Sequence, residues 1–289
     1  MSVTITAAMV NDLRKRTDLP MMECKTALQE ANGDTQKAIE ILRERFAKVA
    51  FKRAALETAE GRAITFFDNE KKIAAILDIR CESAPVTKSE HFIALAKDVV
   101  HHIAVQNPKT IEELMSQPLL NQGNKTVQDR FNEVIGLIRE NMKVHAFQRL
   151  SGSQYGEYVH HDGSFAVLLE VNGTISKQEV LRDISAHIGA MNPQYMTRDQ
   201  VPADEVQKQS EILRSSIAED PKTKGKPANI LEKILEGQLR DWLSERVLLE
   251  QEISNQSKYP GKKISDLLLE QKLTLVSFIR IKIGEVSLG

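Results

Sequence analysis

Residues 4–50 read TITAAMVNDLRKRTDLPMMECKTALQEANGDTQKAIEILRERFAKVA, a pattern of three short helices in tight succession. Thr6 is placed to cap the first, with Val10 and Leu13 on one face. Asp18 and Pro20 stand where a second helix starts, since proline tolerates the first helical turn, whose N–H groups lack partners. Met21, Cys24, Leu28 and Ala31 follow at steps of three and four and predict a buried stripe. Asn32-Gly33 suits a left-handed C-terminal cap, and Asp34 caps the third helix, along which Ala38, Ile41, Leu42, Phe46 and Val49 continue the stripe. Met22 lies about 100° round the helix from Met21, off the stripe. A flexible thioether there suits a partner surface; the alternative is a loosely covered core methionine.

Outward from this stretch the chain alternates hairpins and helices. Residues 47–60 form an alanine-rich, charged connector that reads as a helical spacer. Arg62 to Phe67 and Ile73 to Arg80 read as strands joined across a polar turn at Asp68-Asn69-Glu70-Lys71, and a helix runs from about Ser89 to Gln106, ending before Asn107-Pro108. The plan then returns. Gly156 to His160 and Phe165 to Val171 flank His161-Asp162-Gly163-Ser164, and a helix from about Glu179 to Met191 stops at Asn192-Pro193. A displacement of 85 residues sets Lys97-Asp98-Val99 on Arg182-Asp183-Ile184, His102-Ile103 on His187-Ile188, and Asn107-Pro108 on Asn192-Pro193. Two copies make a duplicated unit and not a solenoid.

Between the copies, Thr126 to Met142 reads as a helix with Val127, Phe131, Val134 and Ile138 on one side, followed by a strand from about Lys143 to Leu150 that leads into the second unit. After Val201-Pro202, two helical stretches flank the breaker at 220–227, the first through Val206, Leu213 and Ile217, the second through Ile230, Ile234, Leu235, Leu239, Trp242 and Val247. They predict a protruding antiparallel helical hairpin. Leu275 to Ile283 alternates as a half-buried strand closing the second unit. The expected class is α+β: a three-helix module and connector over 1–60, a first core subdomain over 61–150, and a second over 151–202 and 251–289. The helical hairpin, 203–250, is inserted in the second.

The motifs in this order resemble the elongation factor Ts family. Leu13-Arg14-Lys15-Arg16-Thr17, Met21-Met22-Glu23-Cys24-Lys25-Thr26-Ala27-Leu28 and Ala31-Asn32-Gly33-Asp34 carry the N-terminal part of the likeness. Asp18 stands where the family has glycine, and Glu23 where it has aspartate. Gly156-x-Tyr158-x-His160, Ile188 to Pro193, Lys233 to Leu239, Leu248-Leu249-Glu250-Gln251 and Phe278 to Glu285 extend it over nearly the whole chain. The resemblance implies a non-enzymatic exchange factor that binds elongation factor Tu and promotes GDP release by disturbing the GTPase's magnesium and phosphate site. It places Leu13, Arg16, Met21 and Met22 against the GTPase domain, the loop of Cys81, Ser83, Ala84, Pro85 and Val86 near the magnesium site, and His160 against another partner domain. The loop departs from its family, which reads C-x-T-D-F-V-A. Ala84 replaces the acid and Pro85 the aromatic.

Composition bounds the alternatives. Of 289 residues, 41% are hydrophobic and 27% charged, an ordinary globular balance. A net charge of −1 and 5% aromatics oppose a direct nucleic-acid binder, which needs cationic surface and stacking platforms. Cys24 and Cys81 form no CxxC and predict no disulfide framework; with no apolar leader and no membrane-length run, a reducing cytoplasm is expected. No phosphate-binding G-x-x-x-x-G-K-[ST] or G-x-G-x-x-G occurs, so no bound nucleotide or other cofactor is expected. His101-His102 and His160-His161 are set aside as metal ligands because neighbouring side chains point apart on a helix and to opposite faces on a strand. His161-Asp162 matches a hydrolase dyad only as a dipeptide in a turn. Two other classes stay open: a three-helix adaptor of the ubiquitin-associated kind using Met21-Met22, and a metal-dependent hydrolase.

Overall fold

A computed structural model describes residues 3–17 and 19–285; Asp18, expected at the start of the second helix, lies outside the described residues. Helices α1 (Ala7–Thr17), α2 (Met21–Glu30) and α3 (Thr35–Arg53) follow in quick succession. Thr6 Oγ1 accepts from Met9 N at 3.3 Å, and Asp34 Oδ1 accepts from Lys37 N at 3.0 Å, so both expected caps form. Asn32 and Gly33 both take positive φ, 52° and 83°, which turns the chain between α2 and α3. Val10, Leu13, Cys24, Ala27, Leu28, Ala31, Ala38, Leu42 and Phe46 form one small core.

Two expectations need correction here. Pro20 precedes the first helical residue, with extended backbone at φ −58° and ψ 142°. Met21 does not join the buried stripe and is 50% exposed. Side chains lean toward a helix N-terminus, so the first residue of α2 leans past the end of the module's core.

The remaining elements are strands β1 (Glu60–Asp68) and β2 (Ile73–Cys81), helices α4 (Glu90–Gln106), α5 (Ile111–Ser116) and α6 (Val127–Ile138), strands β3 (Met142–Ser151), β4 (Gln154–Val159) and β5 (Phe165–Asn172), helices α7 (Gln178–Met191), α8 (Ala203–Glu219), α9 (Ala228–Ser244) and α10 (Ile264–Glu270), and strand β6 (Thr274–Lys282). They make two three-stranded antiparallel sheets, ordered β1-β2-β3 and β4-β5-β6. Strand β3, which the sequence suggested as a lead into the second copy, closes the first sheet by pairing with β2. The short helices α5 and α10 had no counterpart in the sequence reading.

Each sheet's middle strand is buried on both faces, and alternation assigns the two faces to different partners. Ala75, Leu77 and Ile79 of β2 meet α4 and α6, while Val167, Leu169 and Val171 of β5 meet α7 and α10. Ala74 and Ile76 of β2 face the other way, onto Tyr155, Ala166, Leu168 and Ile281 of the second sheet. The sheets therefore pack against each other, with helices on both outer faces. Asn69 stitches them at one end, its Nδ2 donating to Tyr155 O at 3.2 Å while its Oδ1 accepts from Tyr155 N at 2.8 Å.

The duplicated positions meet duplicated chemistry. His102 Nε2 lies 2.9 Å from Gln117 Oε1, and His187 Nε2 lies 2.9 Å from Gln251 Oε1. Burial lowers the pKa of both imidazoles, which favours neutral, structural histidines. Asn107 and Asn192 end α4 and α7 in the left-handed conformation, at φ 54° and 49°.

Helix α6 stops at Ile138, four residues short of the expected Met142, because Arg139 turns left-handed at φ 65° and Asn141 is engaged elsewhere. Asn141 Nδ2 donates to Leu56 O at 2.7 Å and its N–H to Glu82 Oε1 at 2.5 Å. The first three helices dock on the remainder through α3 and α6. Phe46 lies so close to Gly136 that a Cβ on that glycine would collide with the ring. The helix of the connector ends at Arg53, and a short turn leads to β1.

Helices α8 and α9 run as a pair, tied by two bonds from Arg214 to Glu232 at 3.1 and 2.9 Å. Val247 lies beyond the end of α9, contrary to expectation, and packs with Val201, Leu243 and Tyr195 at the base of the pair. Among the described residues no helix is long and apolar enough to cross a membrane.

Candidate partner-docking surface

The loop after β2 is built from the inside outward. Cys81 is fully buried and donates Sγ–H to Ser83 O at 3.4 Å; burial, with the Glu140 carboxylate nearby, pushes its thiol up to about 12. Such a thiol stays protonated and is no nucleophile at neutral pH. Ser83 is held from both sides by Glu140, through N–H to Oε2 at 3.0 Å and Oγ–H to Oε1 at 2.6 Å. A 3₁₀ turn follows over Ala84–Lys88, closed by Thr87 Oγ1–H donating to Ala84 O at 2.7 Å. Ala84 and Pro85 are exposed at its tip, whereas Val86 is buried. The fixed φ of proline and the two bonds to Glu140 stiffen this tip. Glu82 adds a further brace, receiving Arg53 Nη1 at 3.2 Å and so joining the loop to the end of α3.

The second element is the turn between β4 and β5. His160 is half-buried, its ring stacked on Phe165 with centroids 4.6 Å apart, and its Nδ1 lies 3.1 Å from Tyr158 Oη. The Arg280 guanidinium lies over the Phe165 ring, 5.9 Å from its centroid. Gly163 closes the turn at φ 77°, and a Cβ there would meet the Arg62 guanidinium at 2.7 Å. Arg62 also donates from Nη1 to Thr87 O at 3.0 Å. One side chain of β1 therefore joins the proline loop to the histidine turn, and Ala63 N–H adds a 2.8 Å bond to Gly163 O.

The third element is the exposed edge of α1 and α2. Met22 is 66% exposed beside Met21, and Arg16 is exposed with Nε 3.0 Å from Asp12. Leu13 is wholly buried in the core of the same three helices. Of the residues singled out in the sequence, Arg16, Met21, Met22, Ala84 and Pro85 are exposed, and Ser83 and His160 are partly covered. Leu13, Cys81 and Val86 lie behind the surface, so their contribution is to position what stands in front.

Sequence reasoning missed Arg62, Glu140, Tyr158 and Phe165 as members of this group. The motif Gly156-x-Tyr158-x-His160 contained Tyr158, but nothing in sequence order ties Arg62 to a loop 25 residues on or Glu140 to one 57 residues back. It also separated His160 and His161, whereas potential ligand atoms of His160, His161 and Asp162 lie within 4.8 Å of one another. Strand β4 ends at Val159, so strand alternation does not govern these residues.

A braced loop tip joined through Arg62 to a histidine turn backed by aromatics, and separately an exposed methionine pair on the three-helix module, are features suited to docking on another protein. Residues 82–285 match the family described as "Elongation factor TS". The chain is 34% identical over 297 residues to "Elongation factor Ts" of Trichlorobacter lovleyi, an alignment covering 98% of this chain and 94% of that relative. The chain belongs to the elongation factor Ts family. It is accordingly a translation elongation factor of the nucleotide-exchange kind and not a catalytic enzyme.

Proposed function

We propose that the chain binds elongation factor Tu and accelerates its release of GDP, acting in the cytoplasm without binding nucleotide, nucleic acid or membrane itself. What carries the reading is the match along 98% of the chain to a relative named as elongation factor Ts; the geometry supplies a way for it to act. A factor that binds the nucleotide-free GTPase more tightly than the GDP complex must, by reciprocity, weaken GDP binding by the same factor. The Arg62 link makes the proline loop and the histidine turn one stiff edge, so docking at His160 sets the position of Pro85. With no acid at Ala84 and no aromatic at Pro85, this edge disturbs the partner's magnesium and phosphate site through shape alone. Met21, Met22 and Arg16 grip the GTPase domain, with Leu13 holding α1 in the core of the three helices.

The same reading divides the chain into a module and connector (1–60), a first core subdomain (61–150), a second (151–202 with 251–289) and an inserted helical hairpin (203–250). Fluorescent GDP preloaded on elongation factor Tu and chased with excess unlabelled GDP tests the function. The chain is expected to speed the fluorescence decay in a saturable way, without nucleotide hydrolysis. An unchanged decay at saturating chain would overturn the proposal.

A further inference from the structure

We propose that the turn His160-His161-Asp162 is a binding site for one first-row transition-metal cation of the Zn²⁺ kind, held by a ring nitrogen of each histidine and a carboxylate oxygen of Asp162. The potential ligand atoms of these three residues already lie within 4.8 Å of one another, close enough for small side-chain rotations to bring them onto one ion. Two imidazoles and a carboxylate suit Zn²⁺, Co²⁺ or Ni²⁺ better than Mg²⁺ or Ca²⁺, which take all-oxygen sets.

The surroundings orient these ligands. Tyr158 Oη, 3.1 Å from His160 Nδ1, can accept a hydrogen bond from the Nδ1–H tautomer, in which Nε2 is free to be the ligand atom. Phe165 stacks on the same ring and limits its rotation. Asp162 Oδ1 accepts from Ser164 N at 2.8 Å, which orients the carboxylate. His161 is exposed and adjacent, its ring centroid 4.4 Å from that of His160. Arg62, beneath Gly163, opposes a bound cation, but its Nη1 is directed to Thr87 O. Three protein ligands leave a coordination position open to water or to an incoming group.

Isothermal titration of the full chain with Zn²⁺, with histidine ring resonances followed by NMR, tests the site without any partner protein. Its outcome is therefore independent of the exchange proposal. One saturable site is expected, with ring shifts at His160 and His161 and none at His91 or His145. His161→Ala and Asp162→Ala should each weaken binding at least tenfold, and Tyr158→Phe, which removes only the orienting hydroxyl, about 10–100-fold. His161 and Asp162 are exposed, so these two variants should keep the wild-type circular dichroism. Absence of saturable binding, shifts centred on other histidines, or unchanged affinity in His161→Ala would each overturn the assignment.

Discussion

Met22 and Cys24 lie two positions apart on α2 and meet opposite environments. Met22 is 66% exposed, while Cys24 is fully buried against Leu13 and Leu28. Met22→Ala is therefore expected to change unfolding stability by no more than ~0.5 kcal/mol while weakening the complex with elongation factor Tu. Cys24→Asp should cost about 3–5 kcal/mol and unfold the three helices, because an unpaired charge is left inside. Denaturant titration and binding titration of the two variants separate the effects, and a Met22→Ala loss as large as a core truncation would contradict the exposed placement.

Glu157 offers a second test at this scale. Burial between the sheets raises its pKa, and the hydrogen bond from Thr65 only partly offsets that. A raised acid binds its proton more tightly in the folded state. Its contribution to stability is present in full below the ordinary carboxylate range and is lost as pH rises through the folded pKa. Glu157→Gln, neutral at every pH, should thus melt higher than wild type near pH 7, with the gain shrinking as pH falls through the raised folded pKa and gone once pH is below the ordinary carboxylate range. A variant less stable at pH 7 and relatively better in acid would reverse the sign and refute the argument.

At the scale of elements, the proline loop is held by Glu140 more than by its own sequence. Removing a charged partner from two hydrogen bonds costs about 1.5–3 kcal/mol for each bond that is not replaced by water. Glu140→Ala should accordingly free Ser83, speed amide exchange at Ser83 and slow GDP release more than Pro85→Gly does, since glycine leaves both bonds in place. Deleting residues 1–50 should be worse than either, because it removes Met21 and Met22 as well as the Phe46 contact on Gly136. Double replacement of Met21 and Met22 by alanine separates lost grip from lost packing. If Pro85→Gly abolishes exchange while the deletion is mild, the loop is the main actuator and this ranking is wrong.

Across the whole molecule, what could be read in advance was whatever depends on neighbours in sequence. Helix caps at Thr6 and Asp34, the turn at Asn32-Gly33 and both hairpins follow from local chemistry and were legible. The repeat was legible too, down to the paired His102 and His187. Sheet-on-sheet packing was not, because Ala74 and Ile76 look no different in sequence from Ala75 and Leu77. The site was legible as separate pieces: the methionines, the Ala84-Pro85 tip and His160. The joining of loop to histidine turn depends on Arg62 and the bracing of the loop on Glu140, whose partners are remote in the chain. Leu13 was legible on the apolar face of its helix with Val10, whereas the burial of Cys81 and Val86 depends on packing that periodicity alone does not rank.

On the function proposed, this chain and GDP oppose one another on elongation factor Tu. Measuring the equilibrium affinity of elongation factor Tu for GDP with and without saturating chain tests it most directly, since linkage leaves no room for one-sided effects. A weaker GDP affinity is expected in the presence of the chain, matched by an equal-fold weaker affinity of the chain for the GDP complex than for the nucleotide-free protein. A GDP affinity that is unchanged by saturating chain would contradict it.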